Sequence, residues 1–346
     1  MKNTLTSPWD VVEQDFPRSG SPAEKLRFAL QYAVLAPSGH NTQPWLFRVA
    51  HDTVSLFADR TRALPVIDPD DRELLMSCGA ALFHLRTALR HFGYEARVRT
   101  FPDYDEPDLL ATVTLGAETE PVLEDQQLFM AIKRRHTNRL PFRPVPVPDH
   151  DLEALVDAAR TEGADLVLLR DPTAKQDLAD LISQGDYIQG SDRSFRRELA
   201  AWLHPNHSHT HDGLPGYAVG IGDLRSYAGP FVLRTFDWGR GRAARDRQLA
   251  EGSPALAVLT TPADNAAAWL DAGQALDRVL LLAADAGLAA SFLNQPVEVP
   301  ALRPRVATLI ERTGYPQIIL RLGYGRPVAP TPRRSVNEVM ARARYA

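Results

Sequence analysis

The chain has 346 residues, 44% hydrophobic and 24% charged, a balance that suits a globular core and excludes a disordered or fibrous polymer. A net charge of −4 gives no general attraction to nucleic acid or to an anionic membrane, and no run approaches the roughly 18 apolar residues of a membrane span. The one cysteine, Cys78, rules out an intramolecular disulfide, and the start, MKNTLTSPWDVVEQDF, lacks an apolar leader core, so a cytoplasmic location is expected.

Ser21-Pro22-Ala23-Glu24 is a capping box with proline at the first helical position. It predicts a helix over 22–35 with Leu26, Leu30, Ala33 and Val34 as the buried stripe. The run Ala36-Pro37-Ser38-Gly39-His40-Asn41-Thr42-Gln43-Pro44-Trp45 follows. Its prolines fix φ, Gly39 permits φ > 0, and Ser38, Asn41, Thr42 and Gln43 set polar groups on a stiff backbone. Such a loop suits a flat, polar-edged ligand; a plain helix-to-strand connection plugged by Trp45 fits the spacing as well. Strands are expected at 45–49 and 54–57, turning at His51-Asp52, and a long helix over 72–92. The small residues Ser77-Cys78-Gly79-Ala80-Ala81 at that helix's centre let another backbone approach, and Cys78 reads as a buried packing residue. Gly93 ends the helix, strands follow at 95–100 and 110–115, and 116–121 has the composition of a connector.

What comes next reads as a second pass through the same plan. A helix is expected over 126–135, then a basic turn over 134–142, then a helix capped by Asp149 with Leu152, Leu155, Val156 and Ala159 inward. Further on come a helix over 272–287, strands at 289–293 and 317–322, and a helix over 302–313 between them. In both LRTALRHFGYEARVRTF (85–101) and LDRVLLLAADAGLAASFL (276–293) a long helix stops at glycine and a strand begins at once. The expectation is two α+β halves, 1–120 and 121–346, each a mixed sheet flanked by helices. The second carries an insertion at about 185–245, rich in Arg, Gly, His and Asp with little apolar periodicity, which reads as a lid.

Arg134-Arg135-His136-Thr137-Asn138-Arg139 gathers three guanidiniums with a hydroxyl and an amide. Guanidiniums bind phosphate bidentately, although a solvated charge run at a helix end has the same composition.

Taken together, these motifs resemble those of the nitroreductase family of FMN-dependent oxidoreductases. Ala-Pro-Ser-x-x-Asn-x-Gln-Pro-Trp at 36–45 is similar to one half of its signature. The Arg134–Arg139 run is similar to the other half, Arg-Arg-Ser-x-Arg, with one extra residue between the outer arginines. The resemblance implies FMN contacts from Pro37, Ser38, Gly39, Asn41 and Gln43. It further implies FMN contacts from Arg134 and His136, phosphate or ribityl contacts from Arg135 and Thr137, and a cation near the ring N1/O2 edge from Arg139. Ser291-Phe292-Leu293-Asn294-Gln295-Pro296 resembles the segment facing the ring N5, with Leu293, Asn294 and Gln295 as its contacts. Gly323-Tyr324-Gly325 and Pro332-Arg333-Arg334 resemble the terminal strand and basic turn that close on the phosphate.

In this family the loop and the Arg-rich element usually come from different subunits of a dimer. Here the first half has Pro17-Arg18-Ser19-Gly20-Ser21 where an Arg-rich element belongs, and the second has Thr161-Glu162-Gly163-Ala164-Asp165 where the loop belongs. The resemblance therefore implies a nitroreductase-like α+β fold as a fused pseudo-dimer of the Acg type, a monomer with one FMN between its halves. It would pass hydride from NADH or NADPH to a small nitroaromatic or quinone acceptor, the flavin performing the chemistry without a catalytic side chain. The alternative is an FMN-sequestering protein whose lid blocks the nicotinamide.

Three other features carry less. Gly239-Arg240-Gly241-Arg242-Ala243-Ala244 matches a dinucleotide fingerprint only formally, for no βαβ unit surrounds it. His204, His207, His209 and His211 with Asp212 form an imidazole cluster on a Pro- and Gly-marked loop, read as lid and not as metal site. His40 is open to two roles, a proton donor beside the flavin or a shaper of the loop.

Overall fold

A computed structural model describes residues 7–235, 239–311 and 314–341. Residues 1–6 and the last two positions of the helix expected at 302–313 lie outside the described residues.

The first half runs α1 (Pro22–Ala33), β1 (Trp45–Ala50), β2 (Thr53–Ala58), α2 (Arg72–His91), β3 (Tyr94–Thr100) and β4 (Leu109–Glu118). The capping box closes as its sequence demands, Ser21 N donating to Glu24 Oε2 at 2.7 Å and Glu24 N to Ser21 Oγ at 3.4 Å. Its four strands lie in the order β1-β2-β4-β3, every neighbouring pair antiparallel.

The second half runs α3 (Leu123–Ile132), α4 (Asp149–Thr161), β5 (Asp165–Leu169), α5 (Pro172–Ser191), α6 (Arg193–Ala201), β6 (Leu203–His204), β7 (Leu214–Pro215), α7 (Asp223–Thr235), α8 (Gly239–Glu251), β8 (Ala255–Thr261), α9 (Ala266–Asp285), β9 (Ala289–Phe292), α10 (Gln295–Glu298), α11 (Arg303–Leu309) and β10 (Tyr315–Gly323). Its main sheet has the order β5-β8-β10-β9, again antiparallel throughout. By position in the chain both sheets are therefore first-second-fourth-third. The expected mixed sheets are corrected by this arrangement. The strands joined through α2 and α9 do run parallel, but in each half the last strand lies between them.

Helices α2 and α9 each have 20 residues and cross at the centre of the molecule. Gly79, seven residues after Arg72, and Gly273, seven after Ala266, meet the opposite backbone at this crossing. A Cβ on Gly79 would lie 2.1 Å from Leu270 O, and one on Gly273 would lie 2.0 Å from Met76 O. Nearby, His84 Nε2 lies 3.0 Å from Asp277 Oδ2, both side chains fully buried.

The segment at 185–245, expected to be an irregular lid, is mostly helical among the described residues. Small residues carry one of its contacts, α5 and α8 approaching so closely that a Cβ on Gly190 would lie 2.3 Å from Gly239 Cα, while α6 packs Phe195 against Leu64 and Ile67. The formal fingerprint at 239–244 is the first turn of α8, with α7 and not a strand as the preceding element. Asp149 begins α4, but Pro148 holds the cap position and no side chain caps that end.

Neither half closes alone. Leu128, Phe129 and Ile132 of α3 share a core with Leu30, Tyr32 and Leu85 of the first half. Met340 pairs with Phe47 of β1, and Ala341 N donates to Phe47 O at 2.8 Å. In the other direction, Trp9 Nε1 donates to Thr331 O at 2.9 Å.

Candidate functional site

The loop after α1 is held in a conformation that costs energy. His40, Asn41 and Gln43 take φ of +48°, +57° and +52°, on the order of 1–3 kcal/mol of strain each. The expected glycine conformation thus falls on three side-chain-bearing residues and not on Gly39. Hydrogen bonds fix it: Gln43 N donates to Ser38 Oγ at 2.9 Å, and Gly39 N to Ser77 Oγ at 3.3 Å. Cys78 lies beneath, its buried thiol 3.2 Å from Pro44 O and pushed well above the usual thiol range by burial.

Asn41 and Gln43, both buried, cross-link three parts of the chain. Asn41 Nδ2 donates to Gly213 O at 2.9 Å and Pro332 O at 3.0 Å, and its Oδ1 accepts from Arg333 Nη1 at 2.7 Å. Gln43 Nε2 donates to His211 O at 2.8 Å, while its Oε1 accepts from Arg334 N at 2.7 Å. Their amides therefore face protein partners. Pro37 is buried beside them, whereas Ser38 and Gly39 keep some accessible surface.

The Arg-rich run leaves α3 and divides by position. Arg134 is exposed and pairs with Asp285 at 2.7 Å, facing away from the loop. Arg135 is buried, and its Nη2 reaches Leu35 O at 3.4 Å. Arg333 comes from the opposite end of the chain and donates to the same oxygen at 3.3 Å. The Nε of each guanidinium is buried without a hydrogen-bond partner among the described residues. Burial first and the Arg135 charge second push Arg333 down to about 9. His136 is pushed down to about 4 by burial, then by Arg135 and Arg333, and its ring meets Trp9 edge-on at 5.0 Å. Thr137 bridges to Ala290, and Asn138 N donates to Ala290 O at 2.9 Å, which seats the turn on the end of β9. An open cleft of about 260 Å³ runs along the outer flank of this turn, between residues 134–138 and 325–328.

A second cluster lies deeper. Burial, then Arg242 and Arg139, push His40 down to about 4, while burial, then Arg242, pushes Arg139 down to about 10. These three residues come from the loop, the Arg-rich turn and α8, and lie close enough for the two arginine charges to act on His40 and on each other. Gln295 joins them, its Nε2 donating to Asp186 Oδ1 at 3.1 Å and Asp246 Oδ2 at 3.0 Å, its Oε1 buried and unpartnered among the described residues. Leu293 and Asn294 instead hold the end of β9 to Ile319: Leu293 N donates to Ile319 O, and Ile319 N to Asn294 Oδ1, both at 3.0 Å.

Several members of this site were not read from the sequence. Arg321 of β10 is 1% exposed; its Nη2 donates to Asn138 O at 2.9 Å and Leu140 O at 3.0 Å, clamping the carbonyls on either side of Arg139. Its Nε and Nη1 have no hydrogen-bond partner among the described residues. A lone arginine inside the apolar strand QIILRL was the available signal. Arg242 and Trp9 offered none. Three of the four histidines of 204–211 disperse to separate carboxylates, His204 to Asp212, His207 to Asp223 and His211 to Glu338. No metal-binding group of three His, Cys, Asp or Glu occurs among the described residues, nor any helix long and apolar enough to cross a membrane.

The junction between the two halves thus gathers the buried cations Arg135 and Arg333 at one end and His40, Arg139, Arg242 and Gln295 at the other. Comparison with known proteins identifies the class. The model of the nitroreductase family matches residues 132–324. "Putative NAD(P)H nitroreductase Rv3131" of Mycobacterium tuberculosis is 35% identical over 92% of this chain and 91% of its own length. "Putative NAD(P)H nitroreductase acg" of the same organism is 32% identical over 91% and 94%. The chain belongs to the nitroreductase family. Among solved structures, the FMN-dependent nitroreductase NfnB from Mycobacterium smegmatis in complex with NADPH is similar over 63% of this chain and 98% of that one, with 16% identity and a TM-score of 0.41.

Proposed function

We propose that this chain holds one FMN across the junction of its halves and passes hydride from NADH or NADPH to a small nitroaromatic, quinone or similar acceptor. The observation that carries the reading is the meeting of Arg135 and Arg333 at Leu35 O. Two buried like charges converge there with an unpartnered N–H on each, and a phosphate supplies the counter-charge and acceptors they lack. Asp277 offsets Arg135 only in part.

When bound, FMN supplies the hydride chemistry. Arg135, Arg333 and Thr137 would hold its phosphate and ribityl chain, with Trp9 and His136 covering that end. Arg139, fixed by the Arg321 clamp on its neighbouring carbonyls, would place a cation at the ring edge where negative charge grows on reduction. Ser38, Gly39 and His40 would line the ring's other side, with Gln295 near its polar edge. His40, neutral above about pH 4, offers a hydrogen bond without adding a cation.

We further infer that the halves are tandem versions of one unit forming an intramolecular pseudo-dimer, so that a single chain carries the whole site. The common strand order and the matching glycines of α2 and α9 support this. So does the link from α4 to β5, which is only residues 162–164 where the first half has its long loop.

A second reading, FMN sequestration, draws on the cover. Asn41, Gln43 and Arg62 tie residues 211–213 of the insertion directly onto the loop. Anaerobic titration of the yellow protein separates the two. Bleaching of the flavin band near roughly 450 nm by NADH or NADPH supports the reductase; persistence of the band with both donors supports sequestration, and a protein that takes up no FMN refutes both.

A further inference from the structure

Arg139 has little anchorage of its own. Its side chain makes one hydrogen bond among the described residues, Nη1 to Ala218 O, long at 3.4 Å. The place of its guanidinium is therefore set by the backbone that carries it, and that backbone is braced on both sides. Asn138 N donates to Ala290 O at 2.9 Å, its Nδ2 donates to Arg326 O at 2.7 Å, and its Oδ1 accepts from Leu140 N at 3.1 Å. The carbonyls of Asn138 and Leu140 then converge on a single nitrogen, Arg321 Nη2, at 2.9 and 3.0 Å. Because one donor holds the carbonyls on either side of residue 139, the residue between them has little freedom to turn.

Arg321 is a rigid post for this purpose. It stands within β10, paired in register with Leu256 of β8 and Ser291 of β9, is 1% exposed, and lies 4.2 Å from the centre of the Phe142 ring. A charge buried in an apolar strand is costly, and a methionine or leucine of similar volume would pack there at lower cost. Packing therefore gives no reason for an arginine at this position; the two carbonyls do.

We propose that Arg321 is a positioning residue for the flavin: acting through the carbonyls of Asn138 and Leu140, it holds Arg139 where that charge raises the reduction potential of bound FMN. A cation fixed in advance stabilises the negative charge that grows on reduction without having to be ordered at that moment. The inference rests on the proposed FMN site and on the assignment of Arg139 to the ring edge.

The test is the two-electron midpoint potential of the FMN-saturated protein, measured anaerobically against reference dyes for the parent, Arg139→Gln, Arg321→Met and the double variant. Arg321→Met is expected to favour the oxidised flavin roughly tenfold, about 30 mV for a two-electron couple, in the same direction as Arg139→Gln. The double variant should fall no further than Arg139→Gln alone, because a post that acts through Arg139 has nothing to hold once that cation is gone. Arg321→Lys should keep most of the parent potential, since one nitrogen makes both bonds. Additive shifts in the double variant would mark a direct effect of the Arg321 charge and overturn the positioning role, as would the parent potential in a folded Arg321→Met. Thermal melts report folding, and should Arg321→Met fail to fold, Arg321→Gln takes its place in the same comparison and is read by the same rule. A potential unmoved by Arg139→Gln removes the ring-edge assignment and this inference together while leaving FMN binding in place; failure of the parent to take up FMN removes the proposed function as well.

Discussion

Arg333 Nη1 donates to Asn41 Oδ1 at 2.7 Å, joining residues 292 positions apart in the chain. The bond anchors a buried cation, and the same Asn41 side chain holds Gly213 of the insertion. Asn41→Ala leaves the guanidinium short of an acceptor and is expected to destabilise the fold by about 1.5–3 kcal/mol. Denaturant titration measures this, and FMN should restore part of the loss by supplying acceptors elsewhere on Arg333.

Arg139 and Arg134 lie five positions apart and face different surroundings. Arg139→Ala is expected to weaken FMN retention by about 10–100-fold. Arg134→Ala, which removes a surface pair with Asp285 and an exposed bond to Met130 O, should change stability by less than about 0.5–1 kcal/mol and leave FMN affinity unaltered. Fluorescence titration of FMN into both apoproteins is the measurement, and equal effects would remove the assignment of Arg139 to the ring edge.

The crossing of α2 and α9 admits no side chain at two positions. Gly273→Ala places a methyl 2.0 Å from Met76 O and is expected to cost more than about 3 kcal/mol, because backbone must move. Gly241→Ala is a control within a helix: nothing lies within 4 Å of its Cβ, and about 0.5–1 kcal/mol of stabilisation is expected. Thermal melts of the two variants should move in opposite directions.

Asp186 has its pKa raised to about 7, chiefly by burial, with Arg242 opposing. Between the ordinary aspartate value of 3.8 and about 7 the folded protein binds a proton that the unfolded chain does not. Its contribution to stability is therefore present at low pH and lost as pH rises through that window. Asp186→Asn cannot titrate, so the stability of the parent minus that of the variant should decline from pH 5 to pH 8. A difference independent of pH would contradict the placement of this proton.

Much of the architecture was readable because local signals agreed with packing. The capping box at Ser21 and the glycines closing α2 and α9 marked elements that form where expected. β8 escaped notice because all seven of its residues are buried, so it lacks the alternation that betrays a half-exposed strand. The pairing of α5 with α8 escaped because it runs through glycine, Gly190 against Gly239. The outline of the site was legible in its two polar motifs. What was not legible was which amides face inward: Asn41 and Gln43 turn to Gly213, His211 and the 332–334 turn, partners that only tertiary structure supplies. Arg242 and Arg321 were hidden for the same reason, one in an arginine-rich helix and one in an apolar strand.

The exchange of segments between the halves bears on how this polypeptide can be dissected. A cut between β4 and α3 would hand each fragment an open wall: one piece would lose the helix and tail lying against its sheet, the other the tryptophan bonded to its terminal turn. The fragments should be insoluble when expressed apart and recover as a noncovalent pair when made in the same cell, behaving as obligate partners and not as two modules on a string.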